Sequence, residues 1–310
     1  MPQTLRVATR GSALALWQAE HVVGMLRSVE PNLAVELVIV ETHADRNPQI
    51  PIEQMGGKGV FAKEIQHAVL EGRADITVHS AKDLPTVTPE GLVLAAVPPR
   101  WDPRDCLIGS TLEDLPQGGV VATGSLRRRA QLAHLRPDLR FEGLRGNVPT
   151  RIEKAKDYDA IVLASAGLDR LGLAEHIAER LEPEVMLPQV GQAAIAVECR
   201  KDDYDVRPVV ERIEHTATRH CVDAERGFLS ELGGDCSLPA AAHATIAGDG
   251  LRIEGLIATP DGRRVLREEM TGPASAGAAL GRSLANLLLH DRGGEELLKG
   301  SGAEPVPGAD

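Results

Sequence analysis

Short apolar runs alternate with helical patterns through the first two-thirds of this 310-residue chain. The runs lie at 5–8, 35–40, 74–78, 92–97, 120–122 and 160–164. Each is brief and rich in β-branched residues, the mark of strands buried on both faces. Between several of them, apolar residues at helical spacing cover 12–26, 61–71, 126–135 and 150–156. Such alternation predicts parallel sheets flanked by helices, a doubly wound α/β fold. Pro98, Pro99 and Pro103 break the rhythm with an extended connection between two lobes, and a second crossing is expected near 187–191. Ligands in such folds sit at the carboxyl ends of the strands, between the lobes.

The last third changes character. A helical pattern over 216–232 leads into Gly233, Gly234, Asp235 and Cys236. Strand-like runs follow at 240–246, 251–258 and 264–269, separated by Asp249-Gly250 and Asp261-Gly262, which are hairpin turn signals. A further helix is expected over 275–290, completing a small α+β unit with an antiparallel sheet. Aromatic residues make up only 2% of the chain, so its cores must rest on Leu, Val, Ile and Ala.

Charge and cysteine usage narrow the function classes. The formal net charge of -11 opposes non-specific binding to nucleic acid or to anionic membranes. No apolar leader opens the sequence and no run has the length of a membrane span, so the expectation is a cytoplasmic protein. Cys106, Cys199, Cys221 and Cys236 form no Cys-x-x-Cys pair, which points to reduced thiols and to no metal site.

Arginine is the densest chemical signal. Arg127, Arg128, Arg129, Arg136, Arg140, Arg145 and Arg151 fall between Ser125 and Arg151, offset only by Asp138 and Glu142. The planar guanidinium binds carboxylate or phosphate through paired hydrogen bonds. Some of these arginines belong to solvated faces, yet Thr123-Gly124-Ser125 and Leu144-Arg145-Gly146 both follow strands, where ligands bind. A similar junction opens the chain: Arg10 and Ser12 follow a strand, and Ser12 suits a helix N-cap. At a third junction Lys82 and Asp83 lie just past a buried strand, beside His79. A carboxylate there can move a proton or face a developing cation, although an ordinary surface ion pair is the plainer reading. The glycine-rich segment around Lys58 reads as a binding or lid loop and lacks the spacing of a P-loop. Cys236, on a turn between Gly234 and Pro239, is the thiol best placed to be a nucleophile; the other three lie in apolar runs.

In this order the motifs ATRGSALALWQA, GGKGVFAKEI, ADITVHSAKDLP, DPRDCLI, TGSLRRRAQL, LRGNVPTR, DAIVLASAGLDRLGL, LPQVGQAA, ECR and ERGFLSELGGDCSLP resemble the porphobilinogen deaminase (hydroxymethylbilane synthase) family of tetrapyrrole and heme biosynthesis. The resemblance runs from about Arg6 to the final helix. It implies a transferase that joins four porphobilinogen molecules into a linear tetrapyrrole with loss of ammonia. The chain is expected to grow on a dipyrromethane cofactor held by Cys236 through a thioether. It implies two doubly wound lobes like those of type 2 periplasmic binding proteins, lobe 1 from 4–98 with 191–212 and lobe 2 from 102–187. A cofactor-carrying α+β domain would span 216–300, with a disordered tail at 301–310. By motif, Asp83 is the catalytic carboxylate. Lys82, Ser125, Arg127, Arg128, Arg145 and Gly146 match cofactor-binding positions. Arg10, Ser12, Arg145, Arg151 and Arg170 match substrate-binding ones. Lys58 and Phe61 fall in the family's lid loop and Gln192 in its hinge, and family precedent favours a monomer.

This sequence departs from the family pattern in three places. Asp235 directly precedes Cys236 where glycine is usual, setting a negative charge beside the thiol that opposes its ionisation. Ala193 stands at a usual glycine of the hinge, and Ala240-Ala241 replace a branched residue and a glycine. The competing expectation is a non-catalytic two-lobed binding protein for a polycarboxylate, which accounts for the arginines but not for Asp83 together with Cys236.

Overall fold

The computed structural model describes residues 4–46, 59, 62–233 and 238–299. In chain order it builds β1 (Leu5–Thr9), α1 (Ala13–Val29), β2 (Val35–Ile39), α2 (His43–Arg46), α3 (Lys63–Leu70), β3 (Ile76–Ser80) and β4 (Leu92–Ala96). There follow β5 (Asp105–Ile108), β6 (Val120–Ala122), α4 (Leu126–Leu135), β7 (Arg140–Glu142), α5 (Val148–Lys154), β8 (Ala160–Ala164), α6 (Ser165–Leu171) and β9 (Glu179–Leu181). The remainder is β10 (Ile195–Arg200), α7 (Arg207–Val210), α8 (Thr216–Glu231), β11 (Ala240–Ala247), β12 (Gly250–Ala258), β13 (Val265–Pro273), α9 (Gly277–Asn286) and α10 (Gly294–Lys299).

The first sheet has the order β2-β1-β3-β10-β4 and the second β7-β6-β8-β5-β9. The two orders are the same topology. Three strands run parallel, then one antiparallel strand is inserted, then a last strand runs with the first three. The inserted strands differ in origin: β5 enters the second sheet straight after the chain leaves the first, and β10 enters the first after the chain leaves the second. The sheets are therefore mixed, where the sequence pattern predicts parallel ones. A strand that arrives from the other lobe, with no crossover helix before it, enters pointing the opposite way.

Each sheet is buried on both faces, as its apolar runs require. Leu5, Val7, Ala19, Val22 and Leu26 pack α1 onto one face of the first sheet, and Ile65, Ala68 and Val69 bring α3 to the other. Leu107, Val121, Leu132 and Val162 form the core beneath α4 in the second. The C-terminal sheet, β11-β12-β13, is antiparallel throughout and carries α8 and α9 on one face around Phe228, which is fully buried. The two helices meet almost backbone to backbone, since a Cβ on Gly281 would lie 1.9 Å from the Ala224 carbonyl oxygen. Cys106, Cys199 and Cys221 are buried free thiols, each pushed up to about 11 by burial.

Candidate active site

Strand ends from both lobes converge on one region. β1 gives way to Arg10, Gly11 and Ser12, and the Ser12 hydroxyl accepts a hydrogen bond from the Ala15 N–H at 3.3 Å, capping α1. β3 ends at Ser80 and turns through Ala81–Asp83, and the Gln18 amide of α1 donates to Ser80 Oγ at 2.8 Å. Arg10, Ser12, Gln18, His79, Ser80 and Asp83 line a common cleft. The Arg10 guanidinium also grips Asp45 of α2, with Nε–Oδ2 at 3.1 Å and Nη2–Oδ1 at 2.5 Å. Lys82, next to Asp83, donates to Gln192 Oε1 at 3.4 Å, and burial followed by the charge of Arg128 pushes its ammonium down to about 8.

From the second lobe, Ser125 caps α4 by accepting from the Arg128 N–H at 3.5 Å. Arg127 and Arg128 turn inward to the same buried carboxylate. Arg127 Nη1 donates to Asp105 Oδ2 at 2.8 Å, while Arg128 Nε and Nη2 donate to Oδ1 at 3.0 and 2.8 Å. Arg127, 1% exposed, also donates to Gln189 and to the Leu187 carbonyl, so it stands behind the cleft rather than on its wall. Burial opposes the Asp105 charge, but the two guanidiniums outweigh it and hold the carboxyl well below its usual range. Gln192 Nε2 completes the set at 2.9 Å, and also donates to the Pro103 carbonyl at 2.7 Å. One side chain of the second crossing thus reaches Lys82, Asp105 and the first crossing together.

The turn after β7 supplies Arg145 and Gly146, with Asn147 capping α5 through the Thr150 N–H at 3.0 Å. Arg151 Nε donates to the Gly146 carbonyl at 2.7 Å. Burial, then the charges of Arg128 and Arg145, push Arg151 down to about 10, against the opposing pull of Asp83. A cation set this close to two others suits an anion between them.

Arg170 occupies a different setting. It is 6% exposed, with its guanidinium carbon 5.5 Å from the Trp17 ring centroid and 5.4 Å from that of Trp101. Its Nη2 donates to the Ala193 carbonyl at 2.7 Å, and its Nε is buried with no hydrogen-bond partner. Ala193, the residue standing at a usual glycine, has φ +66, the left-handed region. Gly191, at φ +70, lets the crossing pass the Lys82 turn, because a Cβ there would meet the Lys82 nitrogen at 3.0 Å.

The structure therefore gathers Arg10, Ser12, Lys82, Asp83, Ser125, Arg128, Arg145, Gly146 and Arg151 around the facing strand ends. Arg127 and Gln192 lie in the joint behind them, and Arg170 in an aromatic pocket between the lobes. Cys236, Asp235, Lys58, Phe61 and the tail 301–310 lie outside the described residues. Two acids that organise the site went unassigned in the sequence: Asp105 and Glu225 sit inside the motifs DPRDCLI and ERGFLSELGGDCSLP, as acidic residues in otherwise buried stretches. Glu225 accepts from both Nη atoms of Arg100 at 2.7 Å, from the Gly191 N–H at 2.7 Å and from the Ala244 N–H at 2.8 Å. Burial opposes its charge and Arg100 overrides it, holding the carboxyl down at about 2.

Two family models match the chain. The one described as "Porphobilinogen deaminase, dipyromethane cofactor binding domain" covers residues 5–208, and "Porphobilinogen deaminase, C-terminal domain" covers 219–290. A porphobilinogen deaminase of Geobacter metallireducens is 46% identical over 96% of this chain and 94% of its own length. Another, from Syntrophotalea carbinolica, is 46% identical over 98% of each. Among solved structures, the methionine-binding protein MetQ shares 14% identity over 69% of this chain and 90% of its own, at a TM-score of 0.43, a likeness too slight to argue from.

Proposed function

The chain belongs to the porphobilinogen deaminase family, and from that premise we propose how its own residues perform the family's reaction. The activity is that of a transferase, hydroxymethylbilane synthase, which polymerises four porphobilinogen molecules into a linear tetrapyrrole with release of ammonia. The match through the C-terminal domain sets aside a two-lobed binding protein, which has no use for that domain.

The observation that carries the residue assignments is the crowding of Arg128, Arg145 and Arg151 about the ends of the second sheet, facing Lys82 and Asp83. Each pyrrole of substrate and product carries two carboxylates, and a cleft of crowded cations in a protein of net charge -11 suits such a ligand. The cofactor's donor set fits as well: Lys82, Ser125, Arg128, Arg145 and Gly146 would hold the carboxylates of a dipyrromethane, with Arg127 fixing Arg128 through Asp105. When bound, that group supplies the nucleophilic pyrrole from which the product grows. Cys236 is the residue assigned to its thioether.

Arg10, Ser12, Arg145, Arg151 and Arg170 are assigned to the incoming substrate. As its aminomethyl C–N bond breaks, the electron pair leaves on nitrogen and positive charge spreads over the pyrrole. Asp83 offers that charge a carboxylate. Arg151 and Lys82 are close enough to feel the Asp83 charge. Lys58 and Phe61 are assigned to a lid and Gln192 to the hinge. The division into lobes of 4–98 with 191–212 and 102–187, and a carrier domain of 216–300, is part of the same proposal. So are a monomeric state, a cytoplasmic location and the absence of a nucleic-acid partner. The net charge supports the last, and among the described residues no helix is long and apolar enough to cross a membrane.

Intact-mass measurement tests the anchor. The purified protein is expected to carry a dipyrromethane adduct that Cys236→Ser abolishes, and an unmodified wild-type mass from porphobilinogen-producing cells overturns it. Asp83→Ala is expected to fold, to keep the adduct and to lose turnover by about a thousandfold or more, the scale on which removal of one preorganised electrostatic group acts. Ordinary turnover in that variant would remove Asp83 from the mechanism.

A further inference from the structure

Behind the cleft, on the face of the first sheet covered by α3, lies a buried polar cluster that the roles above leave unused. Glu198 of β10, 0% exposed, pairs in register with Thr77 of β3, two residues from His79. Its Oε2 accepts a hydrogen bond from Gln66 Nε2 of α3 at 2.8 Å and lies 3.5 Å from His79 Nε2, which also bonds to the Thr77 hydroxyl. Among the described residues, two atoms of this cluster are buried without a partner: Glu198 Oε1 and Gln66 Oε1. They belong to the two side chains already joined by one hydrogen bond.

With Glu198 ionised, both atoms remain buried acceptors facing no donor, a loss of the kind folded proteins avoid. A proton on Glu198 Oε1 donated to Gln66 Oε1 satisfies both at once, closing a ring of two hydrogen bonds between acid and amide. We propose that Glu198 is a neutral carboxylic acid in the working enzyme, and that its ring with Gln66 positions α3 and His79 at the back of the catalytic cleft.

The surroundings favour the neutral form. Burial raises the Glu198 carboxyl to about 7, with Gln66 and Arg226 pulling the other way, and burial pushes His79 down to about 3, so the 3.5 Å approach joins two uncharged groups. Among the described residues, charged groups nearby are few. Arg226 of α8 spends one Nη on the Pro85 and Thr86 carbonyls, and Arg10 bears on His79. α3 turns Lys63 and His67 to solvent and leaves Glu64 half-buried, while β4 sets Leu94 opposite Glu198. The consequence for the cleft follows from position. Ile65, beside Gln66, and His79 both line the cleft with Asp83. Ionisation of Glu198 breaks one of the two bonds of the ring that ties α3 to β10 and places a charge behind the imidazole.

Glu198→Gln discriminates, because an amide rebuilds the ring and has no proton to lose. The chemical state is read without turnover, by isotope-edited infrared difference spectra of the cofactor-bearing protein at about pH 5.5 and about pH 8.5, on either side of the Glu198 value. A protonated-carboxyl band that fades with rising pH and is missing in Glu198→Gln is the expected result. Absence of that band at the lower pH, or an imidazolium signal from His79 there, overturns the proposal. Gln66→Ala gives a second handle, expected to shift the band by removing its partner; an unmoved band would sink the ring. The folded carboxyl lies above its ordinary value of 4.5, so its stabilisation is complete below that and is lost as pH rises through about 7. The wild-type melting temperature should fall relative to that of Glu198→Gln across that window. The effect on catalysis rests on the activity assigned above: KM for porphobilinogen should rise about fivefold over the same window in wild type, the worth of one hydrogen bond, and stay flat in Glu198→Gln. A rise of equal size in both, or loss of turnover in Glu198→Gln alone, would refute the positioning role, while failure of wild type to turn over porphobilinogen would refute the activity and leave the infrared result standing.

Discussion

Asp105 shows how one buried acid orders a basic site. With a guanidinium on each oxygen and Gln192 beside them, it fixes which way two neighbouring arginines of α4 can point. Asp105→Asn leaves two buried cations facing each other without a counter-charge, and a loss of about 3–5 kcal/mol in unfolding free energy is expected from denaturant titration. The wild-type contribution is complete above the unfolded carboxylate value of about 4 and disappears as pH falls further, because the folded carboxyl is depressed. A variant as stable as wild type would mean that Arg127 and Arg128 do not depend on this acid. Ala193 is the opposite case, a residue held against its preference. Its left-handed φ of +66 persists because the Arg170 guanidinium and the Trp101 N–H both bind its carbonyl, at 2.7 and 3.3 Å. Ala193→Gly should raise thermal stability by about 1 kcal/mol, the penalty of an L-residue in that region. A lower melting temperature would show that the backbone there is unstrained.

Elements set where these residues stand, and the readable ones share a physical cause. β4, β6 and β8 are unbroken apolar runs, β1, β2 and β3 are runs dominated by apolar residues, and α1, α4 and α8 carry apolar residues at helical spacing, so pattern alone locates them. β5, β9 and β10 carry acidic or basic residues inside short strands, and β7 is a charged, largely exposed Arg140–Glu142. In β5 and β10 the charged residues are Asp105 and Glu198, whose burial depends on partners distant in sequence, and no local pattern can anticipate that. The same blindness hid the antiparallel sense of both strands. Motif order named the candidate cleft residues, but it could not tell that Arg127 stands behind the wall or that Arg170 lies between two tryptophans. The packing of α8 against α9 is equally non-local. Because the Gly281 Cα almost touches the Ala224 carbonyl, Gly281→Ala must push the helices apart, and a loss of about 1–3 kcal/mol should appear in thermal melts. An unchanged melt would mean that the helices adjust freely.

Across the whole molecule, Glu225 joins the parts. From α8 it binds Arg100 of the first crossing, the Gly191 N–H of the second and the Ala244 N–H of the C-terminal sheet, so one carboxylate ties both interlobe connections to the third unit. The two crossings also exchange a strand each between the sheets. That exchange bears on synthesis from the N-terminus. The second sheet uses only residues 105–181 and can close as soon as they have been made. The first begins at Leu5, yet among the described residues β4 pairs with β10 alone, so its last strand waits for residues 195–200. The half of the protein that is translated first is therefore the half that finishes folding later, and its unpaired β3 edge is a site that a nascent chain has to keep from the wrong neighbour until the ribosome has delivered the right one.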